Sequence, residues 1–177
     1  KIFSVWSASE LNAIGIYEVV FDNSNKKDEK WYINTNQSYD FDGNEVTASY
    51  GTATPKRAED ENAVDEDGNN ILDENGNQVI NYGLKTQLIR TLKSQVANEL
   101  ARTDWYITRN TEKETAIPSA ISTHRDSVRT KQASMETQIT NASDTPALET
   151  LYTYVNTGTE ENPVYEKPLG ELPTLES

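Results

Sequence analysis

LKTQLIRTLKSQVANELARTDWYITRNTEKETAIPSAISTHRDSVR, residues 84–129, is the stretch whose reading decides the fold. Leu84, Leu88, Leu92, Val96 and Leu100 recur every four residues, and Ile89 widens the row. That spacing draws one apolar face on an amphipathic helix. Lys85, Arg90, Lys93 and Arg102 fall off the row. From Leu84 to Ala101 the helix would be about 27 Å long, at about 1.5 Å per residue. Thr103-Asp104-Trp105 predicts a break or a new cap, with continuation to Arg109 as the alternative. Pro118 holds Ile117 extended and suits the first position of a second helix. There Ile121, Val128 and Met135 repeat every seven residues, and Ile139 follows. A stripe this thin predicts packing against the first helix in an antiparallel hairpin closed by a short link.

The flanking segments are of other kinds. Ser7-Ala8-Ser9-Glu10 fits a capping box before a helical turn ending near Gly15. Ile16–Phe21 and Trp31–Ile33 read as strands, and Gln37–Asp42 with Glu45–Tyr50 as a hairpin around Asp42-Gly43-Asn44. Residues 57–82 hold two similar units, DEDGNN and DENGNQ, eight residues apart. A calcium loop starting at Asp65 would need glycine where Asn70 stands and glutamate where Gly76 stands, so two tight turns are the preferred reading. Ser143–Pro146 starts a third helix, with Thr145 as cap and Pro146 as first helical residue. Leu148, Leu151, Tyr152 and Val155 supply its buried face. Pro163, Pro168 and Pro173 then mark an extended arm carrying Val164, Tyr165, Leu169, Leu172 and Leu175. The expectation is a tether with no core of its own that docks on another subunit.

The predicted fold class is therefore α+β. It comprises a small antiparallel β-rich domain (1–56), an acidic hairpin or loop insert (57–82), a helical domain (83–157) with a long hairpin and a short third helix, and an extended acidic C-terminal arm (158–177). Only 34% of the 177 residues are hydrophobic, so the core is lean. Net charge is −13, distributed as −3, −7, +3 and −6 over residues 1–56, 57–82, 83–142 and 143–177. A surface this acidic argues against nucleic acid as partner. The preferred reading of the pattern is that the acidic residues keep two loops solvated; the alternative is an acidic arm lying on a basic helix, in the same or a neighbouring copy.

Cysteine is absent, so there is no disulfide framework or thiolate site. The opening residues lack the sustained apolar region of a leader, and no run is long enough to span a membrane. His124, the single histidine, sits beside the apolar stripe with no nucleophile or second acid–base group marked out near it, and reads as a packed, hydrogen-bonded residue. No phosphate loop or nucleophile elbow occurs. The expectation is a protein with no catalytic, cofactor or metal site.

The wording TDWYITR, then Glu114, then Ile117-Pro118, then His124-Arg125 with Arg129 resembles the C-terminal half of small tail proteins of tailed bacteriophages. These are the tail fibre assembly or tail assembly chaperone-like proteins, whose pattern is Leu-x-x-Thr-Asp-Trp, a spacer, and a helix with Tyr/His-Arg-x-x-x-Arg. Leu100, Thr103, Asp104, Trp105, His124, Arg125 and Arg129 carry it here. The N-terminal half is similar in style, so the likeness covers roughly 7–56 and 84–142. The acidic insert and the acidic tail depart from the pattern. The resemblance implies a multi-copy protein partnered by other tail components: fibre, spike, baseplate or tail tube. Two roles follow, a structural adaptor in the virion or an assembly chaperone in the host cytoplasm. The residues expected to meet partners are Trp105, Tyr106, Arg125, Arg129, Tyr165, Leu169, Leu172 and Leu175, with Trp105 and Tyr106 equally readable as helix-packing core.

Overall fold

A computed structural model describes residues 5–35 and 37–175. The first four residues of the stretch read as lacking a leader, and the last two of the arm, lie outside the described residues. The chain forms two compact units, 1–56 and 57–177. Helices and strands segregate along it, and the fold class is α+β.

In the first unit, α1 (Ala8–Asn12) begins at a capping box. Glu10 N–H donates to Ser7 Oγ at 3.3 Å, and Ser7 N–H donates back to the Glu10 carboxylate at 2.9 Å. Strands β1 (Val19–Asp22), β2 (Tyr32–Ile33), β3 (Gln37–Phe41), β4 (Val46–Tyr50) and β5 (Thr54–Pro55) follow. β3 and β4 form the expected hairpin, from Phe41↔Val46 to Gln37↔Tyr50. Only Gly43 takes the positive φ, at 99°. Asp42 instead ties the turn by accepting from the N–H groups of Asn44 and Glu45 at 2.8 and 2.9 Å. β1 lies on the other side of β4 and runs parallel to it, so this sheet is mixed rather than wholly antiparallel. β2 pairs with β5, and the small core is Trp31, Tyr32, Ala48 and Ala53.

The second unit opens with β6 (Glu61–Asn62), paired with β7 (Ile80–Asn81). Between them are two hairpins, closed by bridges Val64↔Asn70 and Leu72↔Gln78. The three stems meet in a ring: Ala63 N–H donates to Val79 O, Val79 N–H to Ile71 O and Ile71 N–H to Ala63 O, at 2.8–2.9 Å. Gln78 Nε2 donates to Ala63 O and Val79 O, joining the ring. The insert is thus an ordered three-way junction.

Helices α2 (Leu84–Ala101), α3 (Asp104–Lys113), α4 (Ser119–Asn141) and α5 (Thr145–Tyr152) complete the unit, with β8 (Val155–Asn156) and β9 (Tyr165–Glu166) after them. α2 and α4 are antiparallel. Lys85 Nζ reaches Thr140 O at 2.9 Å near one end, and Glu99 meets His124 at 3.0 Å near the other. Leu84, Leu92 and Val96 pack into a core shared with Ile121, Val128, Met135, Ile139 and Leu148. Each such buried side chain contributes about 1.5–3 kcal/mol of transfer free energy. The link between the two long helices is not short: it is α3, ended by Glu114 at φ 54°. The cap of α5 is Asp144, whose side chain accepts from Ala147 N–H at 2.8 Å, so Thr145 is the first helical residue and not the cap.

The arm also needs correction. Its last stretch is extended, yet it packs on its own unit. β8 and β9 pair antiparallel, Leu169 N–H donates to Leu151 O at 3.0 Å, and Leu169 is 2% exposed. Gly170, at φ 76°, sits against the end of the Lys131 side chain of α4 in a backbone conformation that favours glycine. A lean helical core leaves a gap that an apolar side chain from later in the same chain fills, with no second subunit required.

Candidate partner-binding surface

The residues that carry the resemblance converge where α2 meets α3. Thr103 breaks the helix at φ −120°, ψ 6°. Its N–H and its Oγ1 both donate to Leu100 O at 3.0 Å. From α4, Arg125 Nη1 donates to Leu100 O at 2.8 Å, Thr103 Oγ1 at 2.7 Å and Asp104 Oδ1 at 2.9 Å. Arg125 is 8% exposed, so its charge carries a desolvation penalty that these acceptors offset. One turn earlier on α2, Glu99 accepts from Arg102 at 2.9 Å and contacts His124 Nε2 at 3.0 Å. The Arg102 hydrogen bond holds the Glu99 carboxyl below its ordinary range, against burial, with His124 and the backbone N–H of Leu175 adding to it. With Glu99 ionised, the histidine Nε2–H is the donor. Leu100, Thr103, Asp104, His124 and Arg125 therefore form a helix joint.

Trp105 and Arg129 stand outside that joint. Arg129 is on the open side of α4 and pairs with Asp126 at 3.3 Å. Trp105 is 52% exposed, lies tilted against Tyr106 with ring centroids 3.9 Å apart, and has Arg109 at 5.7 Å. Tyr106 is half-buried, and α3 has no fully buried residue. In the arm Tyr165 is exposed, Leu172 and Leu175 are half-buried, and Leu169 is buried. Arg125 and Leu169, expected to meet partners, are thus occupied inside the unit. Trp105, Arg129 and Tyr165 are the members of that set left open.

Two exposed apolar surfaces escaped the reading of the sequence. On the three-stranded sheet, Val19, Phe21, Tyr39 and Phe41 project from the face of Ala48, and all four are exposed while Ala48 is fully buried between its register partners Phe21 and Tyr39. The alternation Tyr39-x-Phe41 was a visible signal for it. On the insert, Val64, Ile71 and Leu72 are exposed.

Asp65 and Asp73 turn their carboxylates onto their own loops. Each accepts from two backbone N–H groups, those of Asp67 and Asn69 or of Asn75 and Asn77. These bonds, led by Asn69 and Asn77, pull both carboxyls below the usual range. Among the described residues no group of three or more His, Cys, Asp or Glu is placed to hold a metal ion, and no helix is long and apolar enough to cross a membrane. Comparisons with family models, curated proteins and solved structures give no match.

Proposed function

We propose that this chain is a non-enzymatic structural protein of a bacteriophage tail, an adaptor joining a fibre, spike or baseplate element to the tail body. The observation that supports the reading most is the helix joint. Four of the residues that resemble the tail-protein pattern, Leu100, Thr103, Asp104 and Arg125, share one hydrogen-bonded cluster, with His124 bonded to Glu99 beside it, and the aromatic member, Trp105, faces outward beside Arg109. An exposed tryptophan flanked by arginine on a fixed helix is the kind of anchor that dominates binding energy. The ordered acidic insert adds a second presented surface, in keeping with a multi-copy assembly.

The exposed aromatic sheet face favours a second reading, an assembly chaperone that shields an apolar segment of a fibre or tape-measure protein in the host cytoplasm. Mass spectrometry of purified virions separates the two. The adaptor is expected in stoichiometric amount in the particle; its absence from particles whose assembly requires it would establish the chaperone role instead.

A further inference from the structure

The second unit carries two exposed patches with apolar centres at opposite ends of α2, one rimmed by carboxylates and the other by an arginine, all unpaired among the described residues. At the N-terminal end the three-way junction is fastened to the helix. Leu84 and Lys85 N–H donate to Arg57 O and Ala58 O at 3.0 Å, and Asp60 accepts from Gly83 N–H at 2.7 Å and Thr86 Oγ1 at 2.9 Å. Its hairpins expose Val64, Ile71 and Leu72, and the loop tips carry Glu66, Asp67 and Glu74. Among the described residues none of those three tip carboxylates is paired with a lysine or arginine. The basic neighbours Arg57 and Lys85 are bound to Glu61 and Glu59 at the stem.

At the C-terminal end the exposed centre is Trp105, with Arg109 one turn on along α3 and 5.7 Å from the indole, and Arg102 just before the Thr103 break. Arg102 lies on Glu99, whereas Arg109 has no carboxylate partner among the described residues. The 18 residues of α2 hold the two ends about 27 Å apart on one rigid rod. One molecule cannot bring its own patches together. A second copy can.

We propose that the acidic hairpin insert of one copy docks on the Trp105–Arg109 face of the next, head to tail. Ile71 and Leu72 cover the indole, while Glu66, Asp67 and Glu74 lie against Arg109. Opposite charges at the rim set orientation and encounter rate, and the apolar centre supplies the affinity. Because the two patches differ, the contact is heterologous. It builds a ring where the rotation closes and a filament where it does not. This contact goes beyond the adaptor role and stands whichever component the tail supplies.

The test is sedimentation of the full chain across a concentration series at low and high ionic strength. The wild type should associate at low salt and loosen as salt rises, since screening shortens the reach of exposed charges from about 10 Å at 0.1 M to about 3 Å at 1 M. Trp105→Ala should weaken association by about tenfold or more. Arg109→Glu alone, and Glu66→Lys with Asp67→Lys and Glu74→Lys alone, should each abolish it with the circular dichroism spectrum unchanged. A chain carrying all four charge reversals should associate again, a recovery that misfolding cannot mimic. A wild type that stays monomeric at low salt overturns the proposal. So does association indifferent to these substitutions, which would point to the aromatic sheet face, and so does a fourfold variant that fails to recover.

Discussion

Arg125 gathers three acceptors with one nitrogen, and that economy explains why its neighbourhood tolerates a helix break. Thr103 leaves the helical conformation, so carbonyl groups at the end of α2 lose their continuation partners. Arg125 supplies a donor to Leu100 O and fixes the direction in which α3 departs. Beside it, Glu99 has a consequence for stability against pH. Its carboxyl is held below the usual range in the folded state, chiefly by Arg102. A group lowered in this way stabilises the fold above its unfolded value near 4.5, and the contribution is lost as pH falls from there through the folded value. The wild type is therefore expected to lose denaturation free energy on this acid limb, and Glu99→Gln should flatten the limb while lowering stability at neutral pH. If the variant's stability fell with pH as steeply as the wild type's, Glu99 would not be the group responsible. At this scale His124 was legible from its place beside the Ile121–Val128 row. Its partner was not, because a local pattern names a face and not the distant carboxylate that meets it.

α2 was legible to the residue because its pattern is long and its ends are marked. The row Leu84–Leu100 runs five turns, and Gly83 and Thr103 bound it. Burial is graded along the row: Leu84, Leu92 and Val96 are buried, Leu88 and Leu100 half-buried. Leu92 is 2% exposed, so Leu92→Ala should cost about 2–5 kcal/mol in chemical denaturation. Leu88→Ala should cost clearly less, and equal losses at the two positions would contradict the graded burial. Elements with short patterns were less legible. β1 has four residues, and nothing in Val-Val-Phe-Asp distinguishes a parallel from an antiparallel neighbour; pairing direction is set by where the chain returns. The α5 cap shows the same limit. Asp144 and Thr145 are both residues that cap helices well, and the Asp144 carboxylate reaches Ala147 N–H, three residues on, which fixes the start one residue earlier than a cap at Thr145 would. The insert's two turns were read from their Gly-Asn wording, yet the ring of Ala63, Ile71 and Val79 joins residues eight and sixteen apart and was invisible to any local rule.

The chain divides into a lean helical unit and a smaller β-rich one whose buried apolar side chains, among the described residues, are Trp31, Tyr32, Ala48 and Ala53. A unit of that size buries too little to be more than marginally stable. The arm shows how the larger unit manages its own deficit. Leu169, Leu172 and Leu175 recur every third residue; Leu169 is buried, Leu172 and Leu175 are half-buried like Gly170 and Pro173, and Pro168, Glu171 and Thr174 face solvent. The sequence displayed those apolar positions but carried no address for them, and the prolines argued for a tether docked on another subunit. The address is internal. Leu169 is as buried as Leu92, its N–H bonds to Leu151 O, and Lys167 is held to Glu171 at 2.8 Å. Ordering such a segment costs about 1–2 kcal/mol per residue in backbone entropy, so it persists only where the seat returns comparable free energy. Leu169→Ala should then lower stability by about 2–5 kcal/mol, as for a fully buried leucine. Deleting residues 167–177 should lower the melting temperature of the isolated chain at least as much, since it removes Leu169 and also uncovers the wall that Leu172 and Leu175 half-cover. Leu172→Ala, at a half-buried site, should cost less than Leu169→Ala. Thermal melts of the three variants at one protein concentration decide the matter. If Leu169→Ala and the deletion both melt with the wild type, the arm is not seated in the free chain, and its place is on another molecule.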